Sequence, residues 1–389
     1  MDVGLKIIRR IGGGAFSDCY LCRNNKNLVA VKKAKIDNKY EGIKSCEIKE
    51  IYCLLKLCEH PNIIPLYEIS INDNLEYILT MKYVKLTLLK FIYIENNRDL
   101  YFLSFAKQLL SVLNHLHSNK IIHTDIKPDN ILIEYVKNDI KIYLIDFGSA
   151  NVENLSEMYT VVTTYTYRSP EALSYNCNYS NKIDIWSIGL IFYFFIFGYE
   201  YVNYEKIREK DTLKLLNHLY NIPNVILDSK IKDKYKYFLL ECLIIDEEKR
   251  PDIKKLISKF NEIFNIQIDN LLYIIEDNKL DIDIIFFRKL DKFNDYISSR
   301  LNYINFKYLT IACSLYNNLK KQKYTNYRSS DEIVFICWFI CYQFSHKDVD
   351  YDLHDFLPLF NSYTTKYYSA RLLNEMIFDA LEFVNYNIN

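Results

Sequence analysis

The chain has 389 residues, half of them hydrophobic, which is enough for two or three domains with cores of their own. Its 49 basic residues balance 49 acidic ones, so no net field draws it to nucleic acid or to an anionic membrane, and neither is expected as a partner. Only 8 Gly and 7 Pro leave little room for long linkers or disorder. The 10 cysteines follow no framework spacing, and Met1-Asp2-Val3-Gly4-Leu5-Lys6 lacks the apolar stretch of a secretory signal. Free thiols in a reducing intracellular compartment, cytoplasmic or nuclear, are expected. The densest apolar runs, Ile188–Phe197 and Ile333–Phe339, are too short to span a bilayer and read as buried helices.

In chain order, residues 5–34 alternate apolar and polar around a Gly12-Gly13-Gly14 turn, which predicts a strand–loop–strand meander. From Ser45 to Leu57 the residues Ile48, Ile51, Leu54 and Leu55 recur at helical spacing, and a further strand region runs to about Val84. Helical patterns dominate from there to Phe264, over Leu100–His117, Asp184–Gly198, Thr212–Tyr220 and Tyr235–Ile244. Residues 266–389 carry only helical signals: Ile284–Ser298, Phe306–Leu319, Glu332–Phe344, Asp352–Phe360 and Ala370–Val384. In the last, Leu372, Leu373, Met376, Ile377, Ala380, Leu381 and Val384 share one face.

Between Ile122 and Asn130 the chain reads Ile-His-Thr-Asp-Ile-Lys-Pro-Asp-Asn, and sixteen residues after Asn130 comes Asp146-Phe147-Gly148. An acid, a lysine two on, an asparagine five on and a second acid before Phe-Gly suit one task. That task is holding Mg-ATP and a hydroxyl nucleophile for phosphoryl transfer. Upstream, Gly12-Gly13-Gly14-Ala15-Phe16-Ser17 lets backbone amides approach phosphate oxygens, and Val29-Ala30-Val31-Lys32 follows at strand spacing. The glycine run alone equally fits a plain hairpin turn.

These segments resemble the eukaryotic-type protein kinases, over residues 1–265. The resemblance implies an α+β bilobal kinase fold, with a β-rich N-lobe (1–84) and a helical C-lobe (85–265), then an all-α domain (266–389). It implies ATP and Mg2+ as cofactors and Ser/Thr-bearing proteins as substrates. Asp125 would orient the substrate hydroxyl and accept its proton late, Lys127 would steady the γ-phosphate, and Asn130 and Asp146 would hold magnesium. Lys32 would sit on the phosphates, fixed by Glu50, with Glu47 one turn earlier as the alternative. The nucleotide would contact Ile11, Gly12, Gly13, Gly14, Ala15, Phe16, Ser17 and Cys19. Ala30 and Leu132 would sandwich the adenine, Lys82 and Val84 would bond it through the backbone, and Met81 would guard the back pocket. Phe147 would pack as a sensor of the active arrangement.

A lysine two residues after the acid resembles Ser/Thr kinases, and Val161–Glu171 looks like the loop of cyclin-dependent and mitogen-activated kinases. Thr164 then falls where that family's threonine bonds the catalytic acid and lysine. Asp184 would accept backbone hydrogen bonds from the catalytic loop, and Arg250 would pair with Glu171. The family's arginine before the catalytic acid is Thr124 here, and its third loop glycine is Ser17. Control through a phosphate at Tyr159 or Thr160 is therefore open, against an unmodified exposed loop. The helices of 266–389 resemble a cyclin box in order and length, which would place an intramolecular activator on the chain; a generic helical bundle is the alternative. Cys19 and Cys22 suggest a metal or redox pair only by spacing, with no partner pair following. His115 and His117 read as packing residues. A reading from another class also stands: a degenerate kinase-like scaffold that binds nucleotide and partners without turnover.

Overall fold

The computed structural model describes residues 5–14, 17–25, 27–35, 45–71, 77–152, 164–173, 179–202, 211–266, 332–335, 372 and 376. Up to residue 266 these form two compact units, one built on 5–56 and 66–81, the other on 57–65 and 82–266.

The first unit is a sheet with a helix. Strands β1 (Leu5–Gly13), β2 (Ser17–Asn24) and β3 (Asn27–Ala34) form the expected meander, followed by α1 (Ser45–Leu57), β4 (Leu66–Ile71) and β5 (Tyr77–Lys82). The strand order is β1-β2-β3-β5-β4. Alternation on β3 sends Val29 and Val31 into a core with Cys22, packed by Leu5, Tyr20, Tyr67 and Ile78, and leaves Ala30 and Lys32 on the other face. Helix α1 matches the span that its periodicity predicts and buries Ile51, Leu54 and Leu55.

The second unit is mainly helical. Its elements are β6 (Leu86–Thr87), α2 (Leu88–Ile94), α3 (Phe102–Ser118), β7 (Ile121–Ile122), β8 (Ile131–Val136), β9 (Asp139–Leu144) and β10 (Asn151–Val152). Then come α4 (Pro170–Leu173), α5 (Lys182–Phe197), α6 (Thr212–Tyr220), α7 (Ile222–Asp228), α8 (Asp233–Cys242) and α9 (Ile253–Phe264). Helix α5 is apolar on every side because it is surrounded; Ile183 through Phe195 are all buried. It stops at Gly198, whose φ of +80° a side chain would strain. Phe105 stacks on Phe195 at 4.5 Å between ring centroids, and full burial of each ring contributes about 2–3 kcal/mol. The loop after α1 is fastened to this unit: the Asn62 side chain donates to Gln108 Oε1 (2.7 Å) and the Ile142 carbonyl (2.9 Å).

The β8–β9 hairpin interrupts the helical reading of 85–264, and helices α2, α4, α7 and α9 are additional to the four segments expected there. Helix α9 starts at Asp252, whose carboxylate accepts from the Lys255 N–H, and buries Ile253, Leu256, Phe260 and Phe264 at helical spacing.

Beyond residue 266, residues 332–335, 372 and 376 are helical. Ile333, Val334, Phe335 and Met376 are buried, whereas Leu372 is 40% exposed, so the face predicted to hold both Leu372 and Met376 is not evenly covered. The remaining helices expected in 266–389 lie outside the described residues. No helix among the described residues is long and apolar enough to cross a membrane.

Candidate active site

In the first unit, strand β3 offers Lys32 and helix α1 offers Glu50. Lys32 Nζ donates to both carboxylate oxygens, at 2.6 and 2.7 Å, with both side chains largely withdrawn from solvent. A two-sided ammonium–carboxylate contact of this kind fixes the lysine in place. Cys19 lies across from Lys32 in the β2–β3 register. Burial, only partly offset by the nearby ammonium, pushes the Cys19 thiol up to about 11. A thiol that stays protonated is a poor metal ligand or redox nucleophile, and no group of three or more His, Cys, Asp or Glu among the described residues could hold a metal.

The glycine turn is braced from beneath. Gly14 N–H donates to the Ser17 carbonyl (2.9 Å), and Lys35 Nζ donates to the Gly14 carbonyl (2.8 Å). Asp18 pairs with Arg10 at 2.7 Å and with Lys35 at 3.4 Å. Gly13 lies against the Arg10–Asp18 pair so closely that a Cβ would collide with both charged groups. The sequence reading assigned nothing to this brace, because it depends on cross-strand register. Ala15 and Phe16 lie outside the described residues.

In the second unit the segment from His123 to Asn130 gathers around one carboxylate. Asp125 Oδ1 accepts from the Thr164 N–H (2.9 Å) and hydroxyl (2.7 Å), while Oδ2 accepts from Lys127 Nζ (2.7 Å) and Asn130 Nδ2 (3.2 Å). Lys127 Nζ also donates to Thr164 Oγ1 at 2.9 Å. The four bonds set the direction of the carboxylate. Asn130 spends its amide nitrogen on the Asp125 carboxylate and carbonyl (2.9 Å), which turns its amide oxygen away from them. Asp146 is a second hard oxygen donor on the following loop. Two such donors, with phosphate and water completing the shell, suit a small oxygen-loving cation such as magnesium.

Thr124 and Asp146 both take the left-handed conformation, each with φ of +65°. Such residues cost of order 1–3 kcal/mol each and persist only where the surroundings hold them. Asp184, on α5, does the holding at Thr124. Its Oδ1 accepts from the Thr124 N–H (3.0 Å), and Oδ2 from the His123 N–H (2.9 Å) and His117 Nε2 (3.0 Å). The Thr124 hydroxyl donates to the Ser149 carbonyl (2.7 Å), joining the His123–Asn130 segment to the chain that leaves Asp146-Phe147-Gly148. The Asp125 N–H donates to His123 Nδ1, so His123 Nε2 carries the proton and donates to the Ile145 carbonyl (3.1 Å). Phe147 is fully buried against the His123 ring.

Arg250 is buried in a bidentate pair with Glu171 (2.6 and 3.0 Å), and its guanidinium lies over the Trp186 ring. At the end of β5, the Lys82 N–H is committed to the Pro65 carbonyl (2.9 Å), which leaves the Lys82 carbonyl as the backbone group for a base. His117, expected to pack rather than to act as a ligand, has a buried side chain and also props Asp184, a contact that depends on the close approach of α3 and α5 and that sequence spacing does not carry. Tyr159 and Thr160 lie outside the described residues.

The order of a strand-rich unit followed by a helical one fits the bilobal kinase fold. The chain matches the family model of the protein kinase domain over residues 5–260. It belongs to that family, whose members transfer a phosphoryl group from ATP, usually with a divalent metal, onto proteins.

Proposed function

We propose that the chain is a magnesium-dependent protein serine/threonine kinase with a fused regulatory domain at 266–389. The observation that carries this reading is the network in which Lys127 bridges Asp125 and Thr164. It supports a catalytic carboxylate aimed at an incoming hydroxyl, beside an ammonium fit to steady the phosphoryl group in transfer. In this reading Lys32, held by Glu50, steadies the α and β phosphates, and Asn130 and Asp146 hold the metal. Bound magnesium supplies neutralisation of phosphate charge. Asp125 orients the hydroxyl and takes its proton late, and Phe147 and Asp184 keep the loop in register. The nucleotide contacts are those assigned from the sequence, with the Lys82 carbonyl and Val84 serving the base.

The preference for Ser/Thr hydroxyls and the cyclin-dependent-like character rest on Lys127 and on the 161–171 segment. A role for 266–389 in holding the Lys32–Glu50 pair is supported by residues 332–335, 372 and 376 grouping with the strand-rich unit. Full-length chain and Asp125→Ala, each incubated with labelled ATP, magnesium and myelin basic protein, test the reading. Label on Ser or Thr that is absent with Asp125→Ala supports it. Well-folded protein that binds ATP but transfers nothing favours the scaffold reading.

A further inference from the structure

The side chain of Lys82 does not go into solvent, although the residue stands at the end of an edge-proximal strand and begins a connecting segment. Its Nζ donates to Glu134 Oε2 (2.7 Å) and to the Tyr143 hydroxyl (2.7 Å), and that hydroxyl donates to the same carboxylate oxygen (2.9 Å). The three polar groups form a closed triangle. Tyr143 is buried, and the ammonium also lies 4.7 Å from the centre of its ring. Burial raises the Glu134 carboxyl, but the hydrogen bonds from Lys82 and Tyr143 outweigh it and hold the carboxyl below its usual range.

The position of the triangle gives it a task. Leu132 and Glu134 are two apart on β8 and share a face, and Tyr143 is the cross-strand partner of Leu132 on β9. The face that carries Leu132, the residue assigned to one side of the adenine, therefore also carries both partners of Lys82. Lys82 is fixed twice, through its N–H to Pro65 and through its ammonium to the hairpin, and its carbonyl is the backbone group left for the base.

We propose that Lys82, Glu134 and Tyr143 form a hinge lock that sets the direction of the Lys82 carbonyl relative to Leu132, and so selects a purine bearing a 6-amino group. A carbonyl accepts from the 6-amino group of adenine and meets only an acceptor at the 6-oxo group of guanine. The lock rests on the kinase reading for its ligand, and its members are positioning residues.

Full-length Glu134→Gln, Tyr143→Phe and the exchange Lys82→Glu/Glu134→Lys are compared with wild type. The measurements are steady-state kinetics with ATP and GTP, binding of N-methylanthraniloyl-ATP, and thermal unfolding. Loss of one partly buried charge-assisted bond predicts a rise of about five- to tenfold in KM and Kd for ATP in each single variant. It also predicts kcat within about twofold of wild type and a comparable loss of preference for ATP over GTP. The exchange variant recovers part of the affinity. Lower melting temperatures with unchanged ATP affinity and unchanged ATP/GTP preference would assign the triangle to stability alone and overturn the proposal. Wild type that binds the analogue without turnover counts against the kinase reading and leaves the affinity comparison decisive. Wild type that binds no nucleotide overturns the lock as well.

Discussion

Asp184→Asn is the substitution whose effect follows most directly from the geometry. Asp184 is 1% exposed and accepts three hydrogen bonds, one on Oδ1 and two on Oδ2. An asparagine keeps one acceptor oxygen and presents an amide N–H on the other side. Its better orientation retains the two bonds at the Oδ2 side and turns its NH2 toward the Thr124 N–H. One charge-assisted bond, worth about 1.5–3 kcal/mol, is then lost, and a buried donor without an acceptor adds about 1–3 kcal/mol. The total is about 2.5–6 kcal/mol of stability. Thr124, no longer restrained at φ of +65°, relaxes toward negative φ and swings the adjacent Asp125 away from Thr164. Urea unfolding followed by circular dichroism reads the first effect; kcat at saturating ATP, expected to fall at least about 100-fold, reads the second. A variant within about 1 kcal/mol of wild type, with kcat retained, would refute the claim that this carboxylate holds the strained turn in place.

Three further outcomes are expected. Arg250→Met removes the buried guanidinium that holds the Glu171 carboxylate and costs about 3–5 kcal/mol, whereas Arg250→Met/Glu171→Leu recovers much of the loss; chemical denaturation of both variants checks this. Burial and the neighbouring His115 push His60 down to about 3, so below pH 6.5 the unfolded chain takes up a proton that the folded chain refuses. Stability contributed at this site is therefore complete above pH 6.5 and lost as pH falls from 6.5 toward 3, by about 2 kcal/mol at pH 5, and a His60→Gln variant should show a correspondingly shallower decline in denaturation midpoint between pH 7 and 5. Gly13→Ala forces the exposed Arg10–Asp18 pair apart; because surface pairs contribute little, melting temperature should hold while KM for ATP rises severalfold.

The residues proposed to carry the chemistry are legible because phosphoryl transfer would confine them to short stretches of chain. Asp125, Lys127 and Asn130 lie within one loop, and Lys32 follows the glycine turn at strand spacing. Helices α1 and α6 were legible from local periodicity, and their bounds match. The β8–β9 hairpin also leaves a local pattern: Ile131 and Ile133, then Ile140, Ile142 and Leu144, alternate on either side of Lys137-Asn138. What sequence spacing does not carry is tertiary register. Sequence alone leaves both Glu50 and Glu47 open as the partner of Lys32, whereas the structure gives Glu50 as a contact of 2.6 Å. The Arg10–Asp18–Lys35 brace, the support of Asp184 by His117 and the Lys82 triangle all join residues whose adjacency exists only once strands and helices have packed.

Thr124 gives the joint between the His123–Asn130 segment and Ser149 a neutral connection, a hydroxyl on a carbonyl in a partly buried setting. Dissolved ions screen charges; they act weakly on a short pair of neutral dipoles. The coupling of these two segments should therefore persist at ionic strengths that would loosen an arginine-to-phosphate clamp, and phosphatase treatment has no charge there to remove. Salt tolerance thus becomes a property of this joint, set by one uncharged side chain.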